Sequence, residues 1–279
     1  MPHPLLNKPN EKLGVIGIGV MGKTLLNALL ERNIISSESV WAASKTTYSK
    51  SKIEQELGIP TYTQYDKTRL EETRILLLCV KPNKIPEVLD NLKAKGLPSD
   101  VLIISIAAGK TISSIEEQMV TPNPVIRAMP NTPSIVGMGM TALCAGSFAT
   151  EEHMALAHQI FEAVGECVEL DEQHFDAVTG LCGSGPAYLY LIMEALADGG
   201  VRVGLPRDVA LKIVSQTVLG AASMVRDTGR HPASLRDDVT TPAGCTIAGL
   251  LTLEDGKIRS VLARAVEEAT ITAKGLGQQ

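Results

Sequence analysis

The sequence predicts an α/β fold in which a doubly wound parallel sheet, built by the N-terminal part of the chain, is followed by an all-helical C-terminal part. Short apolar runs alternate with helical patterns up to about residue 170, and a glycine-rich turn follows the first run. No strand-like segment follows residue 171. We therefore predict two domains, one over residues 1–170 and the other over residues 171–279.

The first domain is predicted from apolar runs that are typical of strands covered on both faces of a sheet. Two of these runs, residues 75–80 and 101–106, contain almost no polar side chain. Helical patterns separate the runs, as expected for parallel strands, which need crossover connections. The other predicted strands are residues 12–18, 40–43, 125–128 and 141–145, and the predicted helices are one that ends near residue 31 and those at residues 86–92 and 113–119.

The second domain is predicted to consist of helices whose apolar residues are not confined to one face. Residues 186–197 are apolar nearly all round, and further helices are predicted at residues 206–224 and 258–274. A helix that is apolar on every side has to be buried. A region of about 109 residues is too small to bury several such helices alone. We therefore expect an intertwined homodimer, with a monomer whose two domains pack closely as the alternative.

The composition argues against several classes of function. A net charge of -5 argues against a nucleic-acid partner. No apolar run approaches the roughly 18 residues that span a membrane, and the N-terminal residues lack the apolar segment of a signal peptide. The five cysteines form no C-x-x-C pair, and the five histidines show no metal-binding spacing. We expect a cytoplasmic protein with reduced thiols, no metal site and no membrane partner.

The glycine-rich turn after the first predicted strand fits the pattern G-x-G-x-x-G. The first glycine permits a tight turn, the second lets the backbone approach a pyrophosphate, and the third lets the following helix pack closely. Between a strand and a helix, this pattern predicts a Rossmann-type dinucleotide-binding domain, with a purely structural turn as the alternative. The residues expected to line the cofactor here are Gly17, Ile18, Gly19, Val20, Met21 and Gly22.

The segment after the second predicted strand indicates which dinucleotide is bound. NAD-specific folds usually carry an acid about 20 residues after the glycine turn, where it holds the ribose 2′-hydroxyl. No Asp or Glu occurs between residues 40 and 53, whereas Ser44, Lys45 and Thr46 are able to donate hydrogen bonds to a 2′-phosphate. We therefore expect NADPH in preference to NADH. The alternative is that Lys45 is only a solvated loop charge.

Other candidate cofactor residues follow later strands, where ligands collect in open α/β sheets. Small residues in two of these loops would let a cofactor lie against the backbone, and an asparagine in a Pro-Asn-Thr-Pro segment is a candidate neighbour of the nicotinamide. The alternative is that these segments are ordinary turns. The residues concerned are Val80, Lys81, Pro82, Ala107, Ala108, Gly109 and Asn131.

Residues 239–250 combine hydroxylated residues with a Pro-Ala-Gly turn that leads directly into an apolar helical pattern. Such a turn leaves backbone N–H groups unpaired at the start of a helix, beside threonine hydroxyls, and this arrangement suits a small carboxylate. Because a nucleotide-binding pattern opens the same chain, we interpret this segment as the substrate half of a dehydrogenase-type site.

With these motifs identified, the chain resembles the pyrroline-5-carboxylate reductase family over nearly its whole length after about residue 12. The resemblance implies reduction of the cyclic imine 1-pyrroline-5-carboxylate to L-proline, with NADPH or NADH, in proline biosynthesis. It also implies a helical dimerisation domain and a homodimer, and five such dimers often assemble into a decamer. The motifs that carry it are residues 17–22, 80–82, 107–109, 127–133, 181–188, 197–200 and 239–250.

The resemblance also assigns roles to individual residues. It implies that Thr246 is the catalytic residue and contacts the imine nitrogen, with helix N-capping as the alternative role. Glu172 matches a position near the substrate, with a solvated acid at a helix start as the alternative. The residues expected to contact the substrate are Glu172, Thr241, Gly244, Cys245 and Thr246, and Asp238 joins those expected at the cofactor.

Five positions depart from the family pattern. The family commonly has Ser at Cys182, Gly at Ala243, Thr or Ala at Cys245, Glu at Arg230 and Asn near Tyr65. Two other functions are the alternatives. A related two-domain β-hydroxyacid or imine oxidoreductase would carry a catalytic lysine in a glycine-rich context, which Lys212 lacks. A non-catalytic NADP-binding scaffold would not need the intact 240–246 segment.

Overall fold

An eight-stranded sheet organises the part of the chain that the computed structural model describes, residues 5, 6, 8, 10–119 and 121–276. The strands are β1 (Lys12–Ile16), β2 (Val40–Ala43), β3 (Thr61–Tyr62), β4 (Thr73–Leu78), β5 (Leu102–Ser105), β6 (Val125–Pro130), β7 (Gly139–Ala145) and β8 (Gly165–Glu169). Their order across the sheet is β3-β2-β1-β4-β5-β6-β7-β8. The pair β6–β7 is antiparallel, and the other neighbouring pairs are parallel.

The first six strands follow the order of the Rossmann fold, which confirms the predicted doubly wound sheet. The order reverses between β1 and β4, and ligands of such sheets bind outside the carboxyl ends of the strands at this point. The pairing of β1 with β4 ends at Ile16 and Leu78. The backbone N–H of Cys79 then donates to the carbonyl of Ile16 at 2.8 Å, so the Gly17 turn and the segment after β4 lie side by side.

Helices cover both faces of the sheet because successive strand side chains point to opposite faces. The helices of this part are α1 (Val20–Glu31), α2 (Thr47–Leu57), α3 (Lys67–Glu71), α4 (Ile85–Ala94), α5 (Ile112–Met119), α6 (Glu151–Phe161) and α7 (Phe175–Val178). On β4, Ile75 and Leu77 join an apolar cluster with α1 and α6. Leu76 and Leu78 join a second cluster with α4 and α5.

Two strands are missing from the sequence prediction. The strand β3 has only two residues, which is too short for a periodic pattern. The strand β8 pairs only with β7 and is largely exposed, so it shows no apolar run. Apolar runs reveal longer strands that are buried on both faces, whereas β3 is too short and β8 is too exposed to show one.

The described residues divide into two compact units. The first unit extends to Gly183 and includes the end of the last helix from Ala269, whereas the second unit is Ser184–Glu268. The helices that follow the sheet are α8 (Gly185–Arg202), α9 (Arg207–Thr228), α10 (Pro232–Asp238), α11 (Cys245–Asp255) and α12 (Ile258–Leu276). A domain boundary after residue 170 stays a prediction.

The apolar helix predicted at residues 186–197 is present as α8, and in the single chain most of its side chains are exposed. Only Pro186 and Ala197 are buried, whereas Leu189 is 50% and Leu191 67% exposed. Large apolar side chains are also exposed on α9, α11 and α12. Soluble monomers rarely expose so much contiguous apolar surface.

Helix α9 corrects the expectation that no apolar stretch approaches the length of a membrane span. It has 22 residues, and its mean hydropathy is 1.3 over an 18-residue window. It is long and apolar enough to cross a membrane, but only by length and composition. Since three neighbouring helices of the chain also expose apolar side chains, contact with other helices is the simpler account of this composition.

Candidate active site

The glycine turn after β1 requires two of its glycines for internal packing. Gly17 has φ +93°, and a Cβ there would lie 2.8 Å from the backbone carbonyl of Cys79. A Cβ on Gly22 would lie 2.5 Å from the carbonyl oxygen of Gly17. These two positions therefore exclude larger residues whether or not a ligand is bound.

Gly19 is different, because nothing in the protein would touch a Cβ at this position. Its φ of -79° and ψ of -167° are open to any residue. Gly19 is the N-cap of α1, and no side chain caps this helix. The first turn of α1 therefore has no side-chain cap and begins beside an open space at Gly19, where an anion is favoured. The turn fits the pyrophosphate of a dinucleotide, which needs both the open space and the N–H groups.

The segment after β2 presents hydroxyl groups at the start of α2. The Thr46 hydroxyl accepts from the backbone N–H of Ser49 at 3.1 Å and caps α2. The Ser44 hydroxyl donates to the carbonyl of Thr46 at 3.2 Å. Lys45 is exposed beside them. The exposed positive charge of Lys45 matches a 2′-phosphate better than a ribose 2′-hydroxyl, and the Ser44 and Thr46 hydroxyls would donate to it in place of these internal hydrogen bonds.

The loops after β4 and β5 lie at the same edge of the sheet as the glycine turn. The backbone N–H of Ile106 donates to the carbonyl of Leu78 at 3.2 Å, which joins the two loops. Lys81 precedes a 3-10 turn at Pro82–Lys84, and Val80 would contact a Cβ on Gly17. Gly109 has φ +74°. The structure thus brings together the predicted residues 17–22, 80–82 and 107–109.

Asn131 follows β6, and both ends of its amide are used within the protein. Its Oδ1 accepts from the backbone N–H of Met140 at 2.9 Å, and its Nδ2 donates to the carbonyl of Cys182 at 3.3 Å. Cys182 lies in a π-helical turn, Thr179–Gly183. Burial raises the pKa of the Cys182 thiol, and its Sγ donates to the carbonyl of Met140 at 3.6 Å, as a serine hydroxyl could. The hydrogen bonds of Asn131 and Cys182 support a role for both residues in shaping the π-helical turn.

Glu172 contacts two other elements of the first unit. Its Oε1 accepts from the backbone N–H of Ile112 at 2.7 Å and from Nη1 of Arg127 at 2.9 Å. It is therefore not a freely solvated acid. Arg127 is not among the site residues predicted from the sequence, although a charged residue within the apolar run of β6 is an available signal. A buried arginine needs a carboxylate partner.

The predicted substrate segment forms a tight turn before α11. The backbone N–H of Gly244 donates to the carbonyl of Thr241 at 3.1 Å. A Cβ on Gly244 would collide with the Thr241 hydroxyl, and Ala243 has φ +55°, a value that favours glycine. Gly244 is the N-cap of α11, and no side chain caps the helix. Thr246 is the second residue of α11, so helix N-capping does not explain it.

Asp238, at the end of α10, forms an ion pair with Arg230 at 2.7 Å. The Arg230 guanidinium holds the pKa of this carboxyl below its ordinary value. Arg230 also donates to the hydroxyl of Ser234 at 2.9 Å. Where the family pattern has Glu, this chain therefore provides a cation that pairs with Asp238.

The departure at Tyr65 has a packing explanation. Its ring centroid lies 5.7 Å from that of the buried Trp41. Burial raises the pKa of Tyr65 to about 12.

Among the described residues, no group of three or more His, Cys, Asp or Glu side chains is placed to hold a metal ion.

Comparison with known proteins first defines the class. Residues 12–109 match the family described as NADP oxidoreductase coenzyme F420-dependent. This match indicates the class of NADP oxidoreductases for the first part of the chain. Residues 172–276 match the family described as pyrroline-5-carboxylate reductase dimerisation.

Full-length relatives then define the family. Pyrroline-5-carboxylate reductases of Schizosaccharomyces pombe and Arabidopsis thaliana are 41% and 39% identical over 95% and 96% of this chain, and 98% and 96% of their own lengths. A Coxiella burnetii pyrroline-5-carboxylate reductase structure has a TM-score of 0.89 at 31% identity, covering 97% of this chain and 100% of the other. A Plasmodium falciparum pyrroline carboxylate reductase with NADP bound has a TM-score of 0.85 at 31% identity, with the same coverage of each chain. The chain belongs to the pyrroline-5-carboxylate reductase family, which confirms the predicted family and activity.

Proposed function

We propose that the first unit binds NADPH along the carboxyl edge of its sheet and that the turn before α11 in the second unit binds the substrate carboxylate. The observation that carries this proposal is the pair of uncapped helix starts, one after Gly19 and one after Gly244. Each presents backbone N–H groups to an anion, a phosphate in the first case and a carboxylate in the second.

The substrate carboxylate is held by the first N–H groups of α11. The N–H of Gly244 already donates to Thr241 within the turn, so Gly244 shapes the site. The free donors are then the backbone N–H groups of Cys245 and Thr246, with the Thr241 hydroxyl beside them. A carboxylate is also favoured there by the helix dipole, which places partial positive charge at the start of α11.

The Thr246 hydroxyl forms a hydrogen bond with the imine nitrogen: it donates to the neutral imine, and it accepts from the iminium N–H once solvent has protonated the nitrogen. Bound NADPH supplies the hydride that reduces the imine carbon. A threonine hydroxyl is a poor acid, so protonation of the imine by solvent is sufficient and orientation of the substrate dominates catalysis. Cys245 and Cys182 then act by packing, since neither has a base beside it in the family pattern.

The cofactor is held at both ends by residues of the first unit. Residues 17–22 bind the pyrophosphate, and Ser44 with Lys45 binds the 2′-phosphate. Residues 80–82 and 107–109 lie along the dinucleotide, and Asn131 shapes the loop near the nicotinamide. Asp238 and its partner Arg230 form a further polar contact for the cofactor.

The match to a dimerisation family over residues 172–276 supports a dimerisation role for that part of the chain. We further propose a domain boundary after residue 170, decamers built from five dimers, and action in the cytoplasm. Five free cysteines support a reducing compartment. Mass measurement by light scattering tests the decamer.

The activity is tested by following NADPH oxidation with 1-pyrroline-5-carboxylate and with a panel of keto and imino acids. We expect turnover with the pyrroline and little with the others. Comparable turnover of a β-hydroxyacid's keto form would favour the alternative oxidoreductase.

The cofactor preference is tested by Ser44→Asp. A new carboxylate should repel the 2′-phosphate and raise the KM for NADPH about 10-fold more than the KM for NADH. Ser51→Asp, which adds the same charge later in α2, is the matched control. Equal changes in both KM values for Ser44→Asp would place the 2′-phosphate elsewhere.

A further inference from the structure

One carboxylate oxygen joins three separate elements of the first unit. Glu172 Oε1 accepts from the backbone N–H of Ile112, the first residue of α5, at 2.7 Å. It also accepts from Nη1 of Arg127, on β6, at 2.9 Å. Glu172 itself belongs to a 3-10 turn that precedes α7. The start of α5 is therefore held to β6 by Glu172.

The start of α5 matters because the 107–109 loop leads directly into it. The loop is held at its first end by the backbone N–H of Ala107, which donates to the Ser105 hydroxyl at 3.3 Å. Gly109 turns the chain with φ +74°. At its second end, the N–H of Ile112 would lack a partner within the helix. A carboxylate there is favoured by charge and by the helix dipole.

Arg127 fixes the position of that carboxylate. Its side chain is only 6% exposed, whereas that of Glu172 is 29% exposed. Its guanidinium carbon lies 4.7 Å from the ring centroid of Phe175, which is fully buried. A buried guanidinium needs its counter-ion, so Arg127 holds the Glu172 carboxylate in place, oriented towards Ile112.

We propose that Glu172 is a positioning residue for the cofactor, which acts by holding the 107–109 loop, and that it is not a substrate ligand. This inference rests on the proposed cofactor role of that loop. It differs from the role expected from the family resemblance in a measurable way. Loss of Glu172 should weaken NADPH binding in the absence of substrate, and it should leave the KM for 1-pyrroline-5-carboxylate nearly unchanged at saturating NADPH.

The test compares variants of the full chain by NADPH fluorescence titration and by steady-state kinetics. Glu172→Ala should raise the Kd for NADPH about 10-fold, because the start of α5 is released. Glu172→Gln should raise it about 2- to 4-fold, because the amide oxygen still accepts from Ile112. The matched control is Glu116→Ala, since Glu116 on α5 also accepts a backbone N–H, that of Ser147 at 2.7 Å. The control should bind NADPH like the wild type.

A second variant keeps the test valid if Glu172→Ala folds poorly. Arg127→Met with Glu172→Met removes both charges and the acceptor together, and apolar replacement of a buried pair is often tolerated. It should show the same 10-fold weaker NADPH binding as Glu172→Ala, which is about the effect of one lost charge-assisted hydrogen bond, with a normal melting temperature. Unchanged NADPH binding in this variant would overturn the proposal, and so would a higher KM for 1-pyrroline-5-carboxylate with unchanged NADPH binding in Glu172→Ala.

Gly19→Ala separates this inference from the assignment of the cofactor site. Weaker NADPH binding in Gly19→Ala, with wild-type binding in the Glu172 variants, would remove only the positioning role. Wild-type NADPH binding in Gly19→Ala would contradict the proposed cofactor site at the carboxyl edge of the sheet. The positioning role of Glu172, which rests on that site, would then be contradicted as well.

Discussion

Thr246 is the residue whose side chain distinguishes catalysis from simple carboxylate binding at the start of α11. Because Gly244 is the N-cap, loss of the Thr246 hydroxyl removes no helix cap. We expect Thr246→Ala to lower kcat/KM for 1-pyrroline-5-carboxylate by about 10- to 1,000-fold, the scale expected when one or two hydrogen bonds to a transition state are removed. The affinity for NADPH should barely change.

Thr252→Ala is the matched control for this variant. Thr252 lies on the same helix and is exposed, and its hydroxyl donates to the carbonyl of Ala248, one turn earlier, at 3.1 Å. Its loss should leave kcat/KM unaltered. Full activity in a folded Thr246→Ala variant would remove Thr246 from the site.

Ala243 is a residue whose conformation costs stability. Its φ of +55° is in the left-handed region, which costs a residue with a Cβ roughly 1–2 kcal/mol. Glycine relieves this strain but loses more chain entropy on folding, so Ala243→Gly should raise the free energy of unfolding by about 0.5–1 kcal/mol. Urea unfolding measures the change.

The same substitution within α11 should have the opposite sign. Ala248 is exposed inside the helix, so Ala248→Gly should lower the free energy of unfolding by about 1 kcal/mol. If both variants were destabilised equally, the left-handed conformation of Ala243 would not be the controlling factor.

At the scale of the element, two glycines at the start of α1 have different roles, one in packing and the other in ligand binding. Gly22→Ala places a Cβ 2.5 Å from the Gly17 carbonyl oxygen and should destabilise the fold by about 1–3 kcal/mol. Gly19→Ala meets no protein atom and should cost only the small loss of a poorer helix N-cap, while NADPH binding weakens about 10-fold. Thermal melts and NADPH titration of both variants measure the two effects. A Gly19→Ala variant destabilised as much as Gly22→Ala would show that the open space is needed by the protein itself.

The sequence predicts the strands whose residues are nearly all buried. Strands β4 and β5 are buried on both faces, and their continuous apolar runs identify them. The edge strand β8 alternates between exposed and half-buried residues and gives no such signal. Contacts between residues that are distant in the sequence also cannot be predicted from local sequence patterns. Nothing in the sequence near Glu172 shows that its carboxylate meets Ile112 and Arg127.

At the scale of the whole molecule, the exposed apolar helices after residue 184 explain why one chain is not a complete structure. The sequence predicts that α8 must be buried, and the structure of the single chain leaves it uncovered. Each large aliphatic side chain transferred from water into an interface stabilises it by about 1.5–3 kcal/mol. Leu189, Leu191, Leu211 and Ile213 are 44% to 67% exposed, so a second copy can gain about half of that figure from each of them.

We therefore predict that Leu191→Glu shifts the protein from dimer to monomer and lowers its activity in parallel. Leu191 is 67% exposed on α8, so a carboxylate is easily solvated in the monomer but would be buried without a partner in the dimer. Val168→Glu, on the exposed edge strand β8 of the first unit, is the matched control and should keep the wild-type mass and activity. Light scattering gives the mass, and NADPH oxidation measured over a dilution series gives the activity of each species. A monomeric Leu191→Glu variant with full activity would show that catalysis does not require the dimer.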